Sequence, residues 1–211
     1  MYDLQIEIKK LSPDLLDDYL RFFETEAHAD NPGEDRCYCV CWCSADHRIE
    51  TDFSSPEKRR VLAVEYVKSG ALRGYLAYSE GKAVGWCNAN EKSKCTNCTS
   101  WLRFMAPVEA VKDPQGAKIK SVFCFAVAPV MKRKGVASRL LERACADAAE
   151  EGYDFIEAYP SMNVADENLN HTGSLELYKH SGFEIIREAR GKYKGVYDIS
   201  KYVVRKNLKR K

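Results

Sequence analysis

Apolar and polar positions divide the first half of the chain into recognisable elements. Residues 4–9 alternate apolar and polar side chains, which is typical of a half-buried strand. Two later segments open with a serine and a proline, at 12–13 and 55–56, and continue with apolar residues at helical spacing, so each predicts a helix. Residues 75–87 form two apolar stretches around Glu80-Gly81, which predicts a hairpin.

The second half of the chain alternates strands and helices. A strand at 119–127 precedes a helix at 136–150, which carries one apolar stripe and stops near Gly152. A strand at 154–160, a helix ending at Gly182 and two final strands follow. The pattern therefore predicts an α/β protein, with residues 88–117 as its longest loop.

Length and composition narrow the class of protein. With 211 residues, 45% of them hydrophobic, the chain is predicted to form a single domain over 1–211. A net charge of +2 gives no reason to expect nucleic acid as a partner. No apolar run approaches the roughly 20 residues of a membrane helix, and the first residues do not resemble a signal peptide. We therefore expect a cytoplasmic protein without a membrane partner, as a monomer or homodimer.

The junction between strand 119–127 and helix 136–150 has the chemistry of a pyrophosphate site. Backbone N–H groups at a helix start are unpaired, and the helix dipole adds positive charge there. Cations at 132–134 add to that charge, while Gly135 and Ala137 allow close approach of the backbone. The sequence is neither a P-loop nor a dinucleotide fingerprint. A basic surface loop before an ordinary helix is the alternative.

Two motifs carry a resemblance to a known family. Lys132-x-x-Gly135-x-Ala137, after Phe-Ala-Val-Ala-Pro, resembles the acetyl-CoA loop of the GNAT superfamily of N-acetyltransferases, in which Gln or Arg is usual at the first position. Leu177-Tyr178-x-x-x-Gly182-Phe183 resembles the second hallmark of that family, at the expected distance. The resemblance implies the GNAT fold, with a mixed, mainly antiparallel central sheet flanked by helices. Segments at 74–87, 124–127, 157–160 and 171–173 are similar to a bacterial branch with a Cys-rich N-terminal segment and mostly unassigned substrates.

The resemblance also implies roles for individual residues. Strand 119–127 would splay from its neighbour and bind pantetheine through free backbone groups, and an N–H there would polarise the thioester carbonyl. Tyr178 matches the family tyrosine that protonates the departing thiolate, although a core aromatic is the alternative. The cofactor-binding residues implied in this way are Phe125, Ala126, Val127, Lys132, Arg133, Lys134, Gly135, Val136, Ala137, Ser138 and Asn170.

The general base is less defined, because several residues could remove a proton from an acceptor amine. Glu157 is the first candidate, since it lies in the strand next to the cofactor strand among apolar residues that would raise its pKa. Glu91 and His171 are alternatives, although His171 or Asn170 could instead bond the cofactor arm. Each could equally be a residue without a catalytic role. The somewhat acidic segment 28–53 weakly favours a cationic amine as acceptor.

Nine cysteines make the chain unusual. An odd number without a secretory signal predicts reduced thiols. Four of them alternate between Cys37 and Cys43 in the Cys-rich segment 28–53, and Cys95-x-x-Cys98 is half of a zinc-ribbon pattern. If 37–43 is a strand, the four thiols share one face and could line the acceptor pocket. Zinc is the less favoured interpretation, because a tetrahedral site needs converging ligands, and no residue is assigned to a metal.

Two classes of function follow from these features. The favoured one is an acetyl-CoA-dependent N-acetyltransferase acting on a primary amine of a small molecule or a protein. The alternative is a CoA-binding, cysteine-rich protein that senses metals or thiols on the same scaffold without turnover. A fold alone does not choose between them.

Overall fold

A computed structural model describes residues 5–30, 36–43, 52–109, 111–162, 171–193 and 197–209. These residues form one sheet in the order β1-β2-β3-β4-β5-β7-β6. Every neighbouring pair is antiparallel except β4 and β5, so the mixed, mainly antiparallel sheet is confirmed. The strands are β1 Glu7–Lys10, β2 Gly74–Ser79, β3 Lys82–Glu91, β4 Ile119–Val127, β5 Phe155–Ala158, β6 Glu184–Tyr193 and β7 Tyr197–Asn207.

The predicted helices are also present. A 3-10 turn at Pro13–Leu15 leads into α1 (Leu16–Arg21), which continues as a π-helical turn at Phe22–Glu26. The second serine–proline pair starts α2 (Pro56–Ser69), where the Ser55 hydroxyl accepts from the Lys58 N–H at 3.3 Å. The remaining long helix is α6 (Val136–Glu150), and α7 (Leu175–His180) is capped by Ser174. No helix in the described part of the chain is long and apolar enough to cross a membrane.

Residues 88–109 have more regular structure than the loop predicted over 88–117. Strand β3 continues to Glu91, and three short helices follow: α3 (Lys92–Cys95), α4 (Thr99–Phe104) and α5 (Ala106–Glu109). The Cys98 sulfur caps α4 by accepting from the Trp101 N–H at 3.4 Å. Helices of four to six residues are too short for a hydrophobic period to reveal them. Their anchors are the buried side chains of Trp101, Met105 and Val108.

The sheet separates two apolar cores. On one face an aromatic core joins α1 and α4 to the sheet through Tyr19, Trp86, Trp101 and Phe123. On the other face α6 packs through Leu140 and Leu141 against the sheet residues Val122 and Ile156.

The two parallel strands of the sheet separate at one end. Pairing of β4 with β5 runs from Ile119↔Phe155 to Val122↔Ala158, whereas β4 itself continues to Val127 along β3. The chain beyond β5 turns to β7, because the Pro160 carbonyl accepts from the Tyr202 N–H at 2.9 Å. One edge of β4 therefore faces a gap between the two strands.

Candidate functional site

A cleft of about 760 Å³ opens at this gap. The end of β4 forms its floor, the start of α6 closes one end, and α7 with the turn before it forms a wall. The end of the π-helical turn contributes the opposite wall. The lining residues are Ala27, His28, Asp30, Phe125, Ala126, Val127, Met131, Lys132, Arg133, Gly135, Val136, Ala137, Ser138, His171, Gly173, Ser174, Glu176, Leu177 and His180.

The start of α6 gives the cleft an anion-binding end. Gly135 precedes the helix with φ +80°, a conformation that glycine adopts without steric cost. Within the described residues no side chain caps this helix, so its first N–H groups are available to an anion. A Cβ on Gly135 would meet nothing within 4 Å, which leaves room in front of the helix. A diphosphate fits this end by charge, donor direction and space.

One cation of the loop is held across the cleft in this structure. Lys132 Nζ donates to Asp30 Oδ2 at 2.7 Å, and this bond lowers the pKa of the Asp30 carboxyl. Both side chains are about half exposed, so the pair is screened by solvent and weak. Lys132 can exchange Asp30 for a phosphate at little cost.

The expected cofactor residues differ in their placement. All but two of them line the cleft, including the β4 residues Phe125, Ala126 and Val127. Lys134 lies in the same loop as Lys132 and Arg133, but it is not among the cleft-lining residues of the described chain. Asn170 lies outside the described residues.

Tyr178 lies directly behind the cleft wall. Its ring packs against Phe183 in the buried core, and its hydroxyl donates to the Thr172 carbonyl at 2.7 Å. Burial raises the pKa of Tyr178 well above 10, so the phenol holds its proton at neutral pH. Gly173 lines the cleft and approaches this hydroxyl so closely that a Cβ there would lie 3.2 Å from Oη.

Glu157 is not placed as a general base. Lys92 Nζ and the Tyr159 hydroxyl each donate to its Oε1 at 2.8 Å, and Arg205 Nε donates to its Oε2 at 2.8 Å. The side chain is fully buried, and it is not among the cleft-lining residues of the described chain. Both oxygens of this carboxylate are therefore already engaged by two cations and a phenol.

Of the other candidate bases, Glu91 lies outside the described cleft lining and His171 lies in it. Glu91 bonds Ser93 and Lys94 at the end of β3, and it too is absent from the described cleft lining. His171 lines the cleft, and so does His28, a residue outside every predicted motif. His28 Nε2 lies 3.8 Å from the Cys37 sulfur. A lone histidine just after a helix carries no motif, so only the fold reveals its position.

Residues 36–43, the described part of the Cys-rich segment that holds its four thiols, do not form a strand. Residues Val40–Trp42 form a 3-10 turn, and the preceding Tyr38 and Cys39 have φ values of 45° and 48°. The four thiols therefore do not share one face as strand alternation would require. Among the described residues, no group of three or more His, Cys, Asp or Glu side chains is arranged to hold a metal ion.

The anion-binding end depends on close packing of α6 against β3. A Cβ on Gly85 would lie 2.6 Å from Val136 Cγ1, in the first turn of α6. We expect Gly85→Ala to destabilise the protein by about 1–3 kcal/mol, as overpacking does, and to weaken acetyl-CoA binding by displacing the helix start. Urea unfolding and calorimetry measure the two effects. Adding Val136→Ala removes the clashing methyl and should restore both, whereas a Gly85→Ala variant with unchanged stability and binding would contradict the packing argument.

The family is shown by comparison with known proteins. The model of the Acetyltransferase (GNAT) family matches residues 14–183, so this chain belongs to that family and is an acyltransferase. Acetyl-CoA is the acetyl donor that the family uses. No curated protein matches the sequence.

Solved structures share the fold at low identity. An N-acetyltransferase from Staphylococcus aureus Mu50 has a TM-score of 0.56 at 14% identity, over 97% of this chain and 99% of that one. The polyamine N-acetyltransferase of Drosophila melanogaster has a TM-score of 0.60 at 13% identity, over 96% and 100% of the two chains. The Salmonella typhimurium protein yncA, solved with its cofactor acetyl-CoA, has a TM-score of 0.53 at 12% identity, over 98% and 95%.

Proposed function

We propose that the protein transfers the acetyl group of acetyl-CoA to a primary amine of a small molecule or a protein. The observation that carries this proposal is the junction of an uncapped helix start with an open strand edge in one cleft. The helix start suits a diphosphate, and the strand edge suits the amide groups of pantetheine. Acetyl-CoA contains both groups, joined to the reactive thioester.

The chain's own residues would hold this substrate in two ways. The first N–H groups of α6, with Lys132 and Arg133, would bind the diphosphate. Backbone groups of Phe125 and Val127, on the edge that β5 leaves, would pair with the pantetheine arm as an added strand does. An N–H on this edge would polarise the thioester carbonyl. We also propose that Lys134, in the loop before α6, and Asn170, at the cofactor arm, contact the cofactor.

Tyr178 would supply the proton for the departing thiolate. The phenol is protonated, and its hydroxyl adjoins Gly173, which lines the cleft, so a rotation away from the Thr172 carbonyl would direct the O–H toward the reacting sulfur. For the base we propose His28 or His171 in place of Glu157, because both line the cleft. An imidazole ordinarily titrates near pH 6.5, which suits proton abstraction at neutral pH.

Removing the Tyr178 hydroxyl tests this role. We expect Tyr178→Phe to lower kcat by about tenfold or more, within the range of lost proton-transfer groups. The loss of one buried hydrogen bond should cost only about 1 kcal/mol of stability, so the variant remains folded. Initial rates of CoA release measure the effect, with Tyr153→Phe, at the far end of β5, as the control. Equal kcat values for the variant and the wild type would remove Tyr178 from the mechanism.

Binding and turnover together test the proposed function. Acetyl-CoA is titrated into the reduced protein by calorimetry, and release of free CoA is then followed across a panel of amines. The panel includes polyamines, because the Drosophila structural relative is a polyamine N-acetyltransferase. Micromolar binding with turnover on one amine class is the expected result. Absence of binding would refute the proposal.

Binding without turnover would favour a second function, a CoA-binding protein that senses thiols or metals. The Cys-rich segment is the observation behind it, since Cys39 packs against the sheet beside β4. Measuring the metal content of the purified protein then distinguishes metal sensing from thiol sensing.

A further inference from the structure

A strained turn places one cysteine onto the centre of the sheet. Tyr38 and Cys39 are consecutive non-glycine residues with φ values of 45° and 48°, a conformation that L-residues avoid. The Tyr19 hydroxyl, itself buried, donates to the Tyr38 carbonyl and holds the turn in place. Strain of this kind persists where the surroundings fix it, and it is concentrated at functional sites.

The turn presents the Cys39 sulfur to polar groups in an otherwise apolar core. Asn88 Nδ2 on β3 donates to the sulfur at 3.3 Å, and Cys124 lies opposite Asn88 on β4 in the same buried core as Cys39. Asn88 Oδ1 is buried without a hydrogen-bond partner in the described part of the chain, and Trp86 Nε1, which makes no hydrogen bond of normal geometry there, lies beside the Cys39 sulfur and helps to lower its pKa. Buried polar groups normally have hydrogen-bond partners. Unpaired polar groups around the Cys39 sulfur therefore indicate a site that favours a charged or oxidised form of this sulfur.

The surroundings lower the pKa of the Cys39 thiol and raise the pKa of the thiols of Cys37, Cys124 and Cys145. The Cys124 hydrogen bond is the main cause that lowers the pKa of Cys39, with Trp86 and Asn88 acting in the same direction against burial. The same bond raises the pKa of Cys124. Burial raises the pKa of Cys37 to about 12 and that of Cys145 to about 11. Because a thiolate is the reactive form of cysteine, the geometry favours Cys39 as the nucleophile and Cys124 as its proton-bearing neighbour.

We propose that Cys39 and Cys124 are a redox pair that hydrogen peroxide converts to a disulfide. The Cys39 thiolate attacks one peroxide oxygen, the O–O bond breaks, and the products are a sulfenic acid and hydroxide. The Cys124 sulfur then displaces the sulfenic oxygen, which leaves as water with the Cys124 proton. The two sulfurs lose two electrons in total, and the peroxide gains them.

The disulfide would tie the Cys-rich segment to the cofactor strand. Cys124 directly precedes Phe125, whose backbone lies at the open edge of β4. Acetyl transfer is therefore the activity that oxidation would regulate, and this consequence alone rests on the proposed function. Formation of the bond does not depend on it.

The test uses the wild-type protein and needs no substrate. The reduced protein is treated with a few equivalents of hydrogen peroxide, its remaining thiols are alkylated, and the disulfide is mapped by mass spectrometry. We expect Cys39 and Cys124 to lose alkylation together, with dithiothreitol restoring both. Cys145, buried in α6 on the other face of the sheet, is the matched internal control and stays reduced. Oxidised glutathione should not react, because only 3% of Cys39 is exposed.

Variants separate the two sulfurs. In Cys124→Ser the oxidation should stop at a sulfenic acid on Cys39, which dimedone labels, whereas Cys39→Ser should leave Cys124 reduced. Asn88→Ala should slow the oxidation, because it removes the amide that donates to the Cys39 sulfur and stabilises its thiolate. A disulfide between other cysteines, or oxidation of Cys145 as fast as Cys39, would overturn the proposal. So would full alkylation of Cys39 after peroxide treatment, whether or not the protein acetylates an amine.

Discussion

Replacing Ala137 with aspartate is expected to weaken acetyl-CoA binding by at least about 100-fold, or about 2.8 kcal/mol at 1.4 kcal/mol per factor of ten. Ala137 lies in the first turn of α6 and lines the cleft. A carboxylate there would bond the helix N–H groups itself and would repel a diphosphate. Isothermal titration of acetyl-CoA measures the loss directly.

The direction of the stability change separates this effect from unfolding. Aspartate near a helix N-terminus interacts favourably with the dipole, so the thermal midpoint of Ala137→Asp should stay constant or rise while affinity falls. Ala149→Asp places the same charge on an exposed position at the other end of α6 and should leave binding unchanged. Wild-type affinity in Ala137→Asp would mean that the diphosphate does not bind at this helix.

Much of the fold, and the place of the loop 132–137 in the cleft, could be predicted because their signals are local. The serine–proline starts of the first two helices, the Glu80-Gly81 hairpin and the apolar stripe of α6 each lie within one short segment. The same holds for the loop 132–137, where backbone donors, small residues and cations are consecutive. The family motifs then implied the mixed, mainly antiparallel sheet.

The features that could not be predicted depend on distant or strained residues. Glu157 meets its partner Lys92 across 65 residues of chain and Arg205 across 48, and no local pattern encodes these pairs. Alternation in the Cys-rich segment suggested a strand, but the left-handed Tyr38 and Cys39 break it, and only their tertiary contacts hold them there. His28 reaches the cleft for a similar reason, since the end of a π-helical turn directs it there.

Glu157→Gln is expected to act on stability, because the carboxylate is the centre of a buried ion network. Lys92 and Arg205 both bond Glu157, and both also reach Asp113, which is partly exposed. Removing the buried negative charge leaves two cations to share one carboxylate. Breaking a buried pair costs about 3–5 kcal/mol, and we expect the free energy of unfolding in urea to fall by that amount.

Two measurements decide between this structural role and catalysis. They are the stability of a control variant at Glu91 and the pH profile of the folded Glu157→Gln protein. Glu91→Gln removes a partly exposed carboxylate at the end of β3 and should cost less than about 1 kcal/mol. At a temperature where Glu157→Gln is folded, its pH profile of turnover should keep the wild-type shape, because the proposed bases are His28 and His171. A Glu157→Gln protein with wild-type stability and no acidic limb in its profile would instead make Glu157 the base, since a general base must lose its proton to act. The network would then be an activated carboxylate rather than the anchor that joins α3 and the segment around Asp113 to β5 and β7.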